Sequence, residues 1–352
     1  MKNLNIVFLS EWLNNPYKDL LSEKLEAKGA KVREYFWSTF FAPIVLKAGK
    51  PDVLHLHTLH PFLRGKSRLS KFLKLYCFAG QIFLLKLLGV KTVWTVHEWT
   101  DKLNTGSSEI SPSYCTLIGK IFHGFIVHDK LTKEVINQKF QLNDRVKIKV
   151  IPHGNYIEFY ENKISQQDAR QYLKIPDDNF VFLIFGSIYR YKGVLEALRA
   201  FKKLDLAQAT LIVAGKPGEA KLKAEIEAEI KNSTQQIVFV PERIPDSDIQ
   251  IYFNACNCVV VPYQIFTTSG VAVLATSFGR SCIAPKLGFF EDLFEGGGAF
   301  LYDAIASDGL TDALSQALQS QELIPAMEQK NFELAKSCSW EYVASQTLLA
   351  YQ

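Results

Sequence analysis

Carboxylates are absent from two long stretches of this 352-residue chain: none lies between Asp52 and Glu98, and none from Ile249 to Phe290. The first gap holds Arg64, Lys66, Arg68, Lys71, Lys74, Lys86 and Lys91, a local cationic segment in a protein whose net charge is only +4. The second gap excludes carboxylate acid–base chemistry from the segment it covers. Histidine is missing after His153, so imidazole chemistry is confined to the first half. Long apolar runs are missing too. The run at the start of the chain is too short for a signal peptide, and the stretch Cys77–Val90 is broken by Gln81 and Lys86, so no transmembrane helix is expected. The six cysteines are scattered, with neither zinc-ligand spacing nor a disulfide framework, which reads as reduced, buried thiols in a cytosolic protein. There is no short repeat and no low-complexity tract.

What is present is an ordinary globular balance, 48% hydrophobic and 22% charged, long enough for two domains each with its own core. Apolar runs of strand length alternate with helical patterns. Strands are predicted at Asn5–Leu9, Val32–Phe36, Val53–His57, Val90–Val96, Phe125–His128 and Lys147–Ile151, with helices over Tyr17–Lys28 and Leu69–Leu88. A second alternation begins at Val181–Phe185, a fully apolar run of the kind buried on both faces. It continues with strands Thr210–Ala214, Ile237–Val240, Cys258–Pro262 and Cys282–Ala284, and helices Val194–Lys203, Glu219–Lys231, Ser247–Ala255 and one after Ser269. The expectation is an α/β chain of two Rossmann-like parallel-sheet domains, 1–165 and 166–338, with a terminal segment 339–352 and the boundary in the polar stretch Ser165–Asp178. Ligands in such sheets sit at the carboxyl ends of the strands, so a cleft between the two sheets is the expected site.

Loops that follow strands of the second half carry the sharpest signals. In Gly186-Ser-Ile-Tyr-Arg190-Tyr-Lys192-Gly193, two cations stand between a buried strand and a helix. An Arg fork and a Lys point charge suit a diphosphate, and a solvated cationic turn is the competing reading. Thr267-Thr268-Ser269-Gly270 opens a helix whose free N–H groups favour an anion; simple capping competes. Glu291, after Gly288, offers a carboxylate to sugar or ribose hydroxyls, or merely serves as an N-terminal helix acid.

In the first half, His97 ends a strand and precedes Glu98. A histidine there can donate to a sugar hydroxyl or move a proton. His55 and His57 share one strand face, but no thiol or carboxylate joins them, His60 and His97 at a plausible spacing, so no metal site is expected. His153, between Pro152 and Gly154, reads as a structural turn residue.

The order of Val93-Trp-Thr-Val-His97-Glu98, Ile151-Pro-His153-Gly154, Gly186…Arg190-Tyr-Lys192-Gly193, Val213-Ala-Gly215, Val261-Pro-Tyr263, Gly288…Glu291 and Ser339-Trp340-Glu341 resembles the family-four glycosyltransferases (group 1) of the GT-B fold. The resemblance spans nearly the whole chain. It implies a donor domain second and an acceptor domain first, and a terminal helix from Ser339 that crosses back to the first domain. It implies that Arg190 and Lys192 hold the donor diphosphate and that His97 meets the donor sugar. Two features of the family are missing. Its pair of glutamates eight positions apart is replaced by a carboxylate-free run that starts Thr267-Thr268-Ser269-Gly270 and reaches Gly279-Arg280. The glycine pair of its first loop is replaced by Asn14-Asn15-Pro16-Tyr17. This resembles a subgroup that builds surface polysaccharides.

The implied activity is hexosyl transfer from a UDP- or GDP-type sugar to a polysaccharide or lipid-linked acceptor, retaining, with neither cofactor nor metal. Gly186, Arg190, Lys192, Thr267, Thr268, Ser269, Gly270 and Glu291 form the expected donor site, with His97, Arg190 and Lys192 catalytic. Glu11, Asn15, Glu98 and Asp101 are the acceptor-side or base candidates, a base being needed only for inversion. Segment 64–76 interleaves cations with Leu69, Phe72, Leu73 and Tyr76, which suits an anionic membrane surface, here the inner face of the cytoplasmic membrane; a core-facing helix with solvated lysines is the alternative. A sugar-nucleotide epimerase of the same fold and a non-catalytic sugar-nucleotide-binding partner remain rivals. A nucleic-acid binder is not expected, because no recognised module accompanies the basic segment.

Overall fold

The computed structural model describes residues 3–11, 15–63, 67–98, 112–142, 146–204 and 208–352. Two units divide the chain: Met1–Gly154 together with Cys338–Gln352, and Asn155–Ser337.

The first unit is built on six parallel strands, β1 (Asn5–Ser10), β2 (Lys31–Phe36), β3 (Val53–Leu56), β4 (Lys91–Thr95), β5 (Gly124–Val127) and β6 (Lys147–Val150). Their order is β2-β1-β3-β4-β5-β6. The chain leaves β1 for one neighbour and returns to its other side as β3, which puts the topological switch point between β1 and β3. β1, β3, β4 and β5 are buried almost throughout, because helices cover both faces.

The second unit repeats the plan with β7 (Phe180–Phe185), β8 (Ala209–Ala214), β9 (Gln236–Val240), β10 (Cys258–Val260), β11 (Ser281–Pro285) and β12 (Ala299–Tyr302), ordered β12-β11-β10-β7-β8-β9. Its switch point lies between β7 and β10. Two parallel sheets are the architecture that the β/α alternation predicts. The helices Pro112–Ile121, Lys130–Lys139, Gly309–Gln319 and Ile324–Ser337, and the strand β12, carry signals too weak to have been placed from sequence.

The division between units falls after Gly154, ahead of the polar stretch expected to hold it. The reason is local. Residues 155–165 are tied into the second unit: Tyr156 N–H donates to Ser277 Oγ (2.9 Å), Lys163 N–H to Gln250 Oε1 (2.8 Å), and Asn254 Nδ2 to the Ile164 carbonyl (2.9 Å). The expected linker is instead a helix, Gln166–Leu173, capped by the Ser165 hydroxyl. At the other end, the helix Trp340–Ala350 packs on the helix Pro16–Ala27 within the first unit. Lys24 pairs with Glu341 at 3.0 Å, and the Tyr351 hydroxyl meets His55 Nδ1 at 2.7 Å.

Candidate functional site

In the second unit, the loops after β7 and β10 flank the switch point and are locked together. Gln264 N–H donates to the Tyr191 carbonyl at 2.8 Å. Gly193 has φ +69°, and a Cβ there would lie 2.0 Å from the Pro262 carbonyl oxygen, so only glycine permits this approach. The lock brings Lys192 inward. Its Nζ lies 5.3 Å from the Tyr263 ring centroid and 3.9 Å from the point a Cβ on Gly186 would occupy. Val271, in the first turn of the helix Gly270–Ser277, lies 3.4 Å from that same point. Gly186, Lys192 and the start of this helix therefore converge at the carboxyl end of β7. Ser269 is its N-cap, with Oγ accepting from Ala272 N–H at 3.2 Å, while Gly270 has open space where a side chain would stand. The helix N-terminus thus presents backbone N–H groups beside an ammonium, an arrangement that favours an anion. Thr267 and Ser269 are buried, and Thr268 is half-buried.

Arg190 is not part of that convergence. Its guanidinium makes a bidentate pair with Glu225 (2.9 and 3.1 Å) of the helix Ala220–Lys231, on an exposed surface. Glu291 also serves locally: its Oε2 accepts from Gly288 N–H at 3.1 Å, capping the short helix Phe289–Leu293.

In the first unit, imidazoles gather at the strand ends. His57 follows β3, His97 follows β4, His128 follows β5 and His153 follows β6, and these four strands are neighbours in the sheet. All four side chains are buried. His57 Nδ1 is 3.5 Å from His97 Nε2, and His97 Nδ1 is 3.4 Å from His128 Nε2. His128 Nδ1 donates to the Ile151 carbonyl at 2.9 Å, and His153 Nδ1 to the Gly154 carbonyl at 2.8 Å. Tyr17 lies at the centre, its ring edge-on to His97 (4.5 Å), His153 (4.8 Å), Trp340 (5.0 Å) and His128 (5.6 Å).

Burial disfavours the imidazolium. It pushes His128 down to about 4 and His153 and His55 to about 3, and holds His57 and His97 well below the ordinary histidine range. These rings are neutral at pH 7. The sequence offers no sign that His128 and Tyr17 would join His57 and His97, because strand order alone brings them together.

The remaining candidates separate. Glu11 follows β1, and its N–H donates to Thr58 Oγ1 at 2.9 Å, which sets it at the switch point. Asn15 caps the helix Pro16–Ala27, its side chain accepting from Tyr17 N–H at 3.0 Å, so its carbonyl oxygen has a structural task. Glu98 is half-buried beside His97. Asp101, like Arg64 and Lys66, lies outside the described residues. Among the described residues no group of three or more His, Cys, Asp or Glu side chains could hold a metal ion. The Asp-x-Asp at Asp246–Asp248 forms an exposed turn in which Ser247 Oγ donates to Asp248.

Residues 165–333, nearly all of the second unit, match the family model of glycosyl transferases group 1. Over the whole chain the architecture is shared with solved structures. Sucrose-phosphate synthase from Thermosynechococcus elongatus superposes with a TM-score of 0.75, covering 99% of this chain and 98% of that one at 17% identity. HepE of Anabaena, solved with UDP and glucose, gives 0.74 and covers 98% of each chain at 18% identity. The chain thus has the GT-B architecture, and its second unit is similar to glycosyl transferases group 1.

Among curated relatives, the GDP-mannose:glycolipid 4-beta-D-mannosyltransferase of Xanthomonas campestris is 25% identical over 89% of this chain and 85% of its own length. The lipopolysaccharide 1,2-N-acetylglucosaminetransferase of Salmonella typhimurium is 28% identical over 56% of this chain, and the match spans about half of that relative, 54%.

Proposed function

We propose that this chain is a glycosyltransferase that moves a hexose from a UDP- or GDP-type donor onto a glycolipid or lipid-linked saccharide, without a metal ion and with retention. One observation carries the donor assignment. The Lys192 ammonium and the open N-terminus of Gly270–Ser277 meet beside Gly186 at a switch point. As the bond from the anomeric carbon to the phosphate oxygen breaks, negative charge grows on the leaving diphosphate, and preorganised positive groups there act most strongly on the transition state. The acceptor oxygen bonds to the same face of the anomeric carbon, and its proton passes to the departing phosphate. Lys192 is thus the catalytic cation, and Arg190 joins only by leaving Glu225. The sugar-binding role that the family resemblance gives to His97 is kept as part of this reading.

The acceptor class rests on the two relatives, whose names specify a glycolipid and a lipopolysaccharide. A thermal-shift panel of UDP, GDP and ADP sugars tests the donor, since a bound ligand raises apparent stability by mass action. Turnover is then followed with and without lipid extract, and the anomeric configuration of the product is read by NMR. Donor consumption without acceptor would favour an epimerase. An inverted product would shift the proton-accepting role to a carboxylate, Glu11 or Glu98.

Peripheral attachment to the cytoplasmic membrane is part of the same proposal. Its support is the helix Arg68–Leu87. One face is in the core through Leu75, Phe78, Ile82 and Leu85. The opposite face is also apolar, and it is exposed: Leu69 (67%), Phe72, Leu73, Tyr76, Phe83, Leu84 and Leu87 (69%) recur at helical spacing. Lys71, Lys74 and Lys86 flank this stripe, and the helix has no acidic residue. Apolar anchors among cations match an anionic headgroup layer. No helix among the described residues is long and apolar enough to cross a membrane.

A further inference from the structure

The three linked imidazoles of the first unit have a fixed direction. A carbonyl oxygen can only accept, so the 2.9 Å contact with Ile151 places the proton of His128 on Nδ1. A neutral ring then has a lone pair on Nε2. His97 Nδ1 faces that lone pair at 3.4 Å and must carry the proton. His97 Nε2 is in turn an acceptor, approached by His57 Nδ1 at 3.5 Å. The series ends at His57 Nε2, a buried acceptor without a partner. One backbone carbonyl on the far side of β5 thereby determines the tautomer of three side chains. The two inter-ring contacts are long, so His57 yields readily to a better donor at His97 Nε2.

We propose that His128 is a positioning residue that holds His97 as its Nδ1–H tautomer, so that His97 presents an acceptor nitrogen, not an N–H, to a sugar hydroxyl. The proposal rests on the transferase reading of His97 and deepens it. The hydroxyl donates to Nε2 and displaces His57. The neutrality on which the tautomers depend comes from burial, with Tyr17 packed edge-on to all three rings and its chain neighbour Lys18 already paired with Glu34.

The test reads the tautomer directly. In uniformly 15N-histidine-labelled protein, long-range proton–nitrogen NMR distinguishes a protonated ring nitrogen from one with a free lone pair, and His97 is assigned by its loss in His97→Gln. The expected result in wild type is a protonated Nδ1 and an unprotonated Nε2. His128→Gln keeps the polarity, since its amide N–H donates to the Ile151 carbonyl and its oxygen accepts from His97. It should retain the His97 pattern and turnover within about threefold. His128→Leu removes the acceptor; it should shift His97 to the Nε2–H form and lower kcat at least tenfold with little change in donor KM. A wild-type His97 protonated on Nε2 overturns the proposal, as does equal turnover of the Gln and Leu variants. If His128→Leu does not fold, the wild-type spectrum and His128→Gln still decide. The spectrum is recorded without donor, so failure of the tautomer assignment is separate from failure of donor binding in the thermal-shift panel.

Discussion

Replacing Lys192 by methionine removes one charge and keeps most of the side-chain volume. Its ammonium sits 3.9 Å from the point where a Cβ on Gly186 would stand, at the mouth of the proposed diphosphate site. A unit charge at about 4 Å is worth about 4 kcal/mol at an effective dielectric of about 20. Lys192 is half-exposed, so solvent screening reduces that figure. A loss of about 10²–10³ in kcat is then expected, the range found on deleting one donor of an oxyanion site. The fold loses little: the cation–π contact with Tyr263, at 5.3 Å to the centroid, contributes about 0.5–1 kcal/mol. That is a shift of a few degrees at most in Tm. The assay measures release of nucleoside diphosphate under saturating donor, with the thermal melt as the folding control. A folded Lys192→Met enzyme within about threefold of wild-type kcat would refute the assignment of the leaving-group charge to this residue.

Other consequences are checked independently. Arg190→Ala should cost no more than about tenfold in kcat/KM, or about 1.4 kcal/mol, because Glu225 already neutralises the guanidinium; a loss equal to that of Lys192→Met would show that Arg190 changes partner on donor binding. The depressed histidines make the first unit acid-labile: their folded values lie below the unfolded one, so unfolding takes up protons and stability falls as pH drops below about 6.5. His128 alone, at about 4, should remove about 2 kcal/mol between pH 7 and pH 5, read by urea melts across that range. Changing Leu69, Leu73 and Leu87 together to serine should abolish sedimentation with phosphatidylglycerol vesicles and leave the melt unaltered, since all three are exposed; undiminished binding would place the membrane contact elsewhere.

The strands of both sheets other than β12 were legible, most clearly where a buried parallel strand is written as a continuous apolar run, such as Phe180–Phe185. The helix Lys130–Lys139 went unplaced because it is short and mostly polar, and its cap, Asp129, looks like a turn residue in isolation. The role of Lys192 could be suspected from its place between a strand and a helix. The pairing of Arg190 with Glu225 could not, because it depends on how the helices after β7 and β8 pack side by side. The place of His128 in the imidazole series was invisible for the same reason: it is far from His57 and His97 in sequence and becomes their neighbour only through the order β3-β4-β5.

The chain enters its first unit twice, with the second unit encoded between the two visits. During synthesis, the amino-terminal sheet must therefore wait for the last helix before Trp340 can settle against Tyr17 and the Gly154 backbone, where a Cβ would lie only 2.4 Å from the indole. The internally encoded unit has all its elements by Ser337, before the terminal helix is made, and can close first. Assembly on the ribosome then runs inside-out: the part made earliest is the last to be finished, and a nascent chain stalled before residue 340 exposes an open core that chaperones would have to shield.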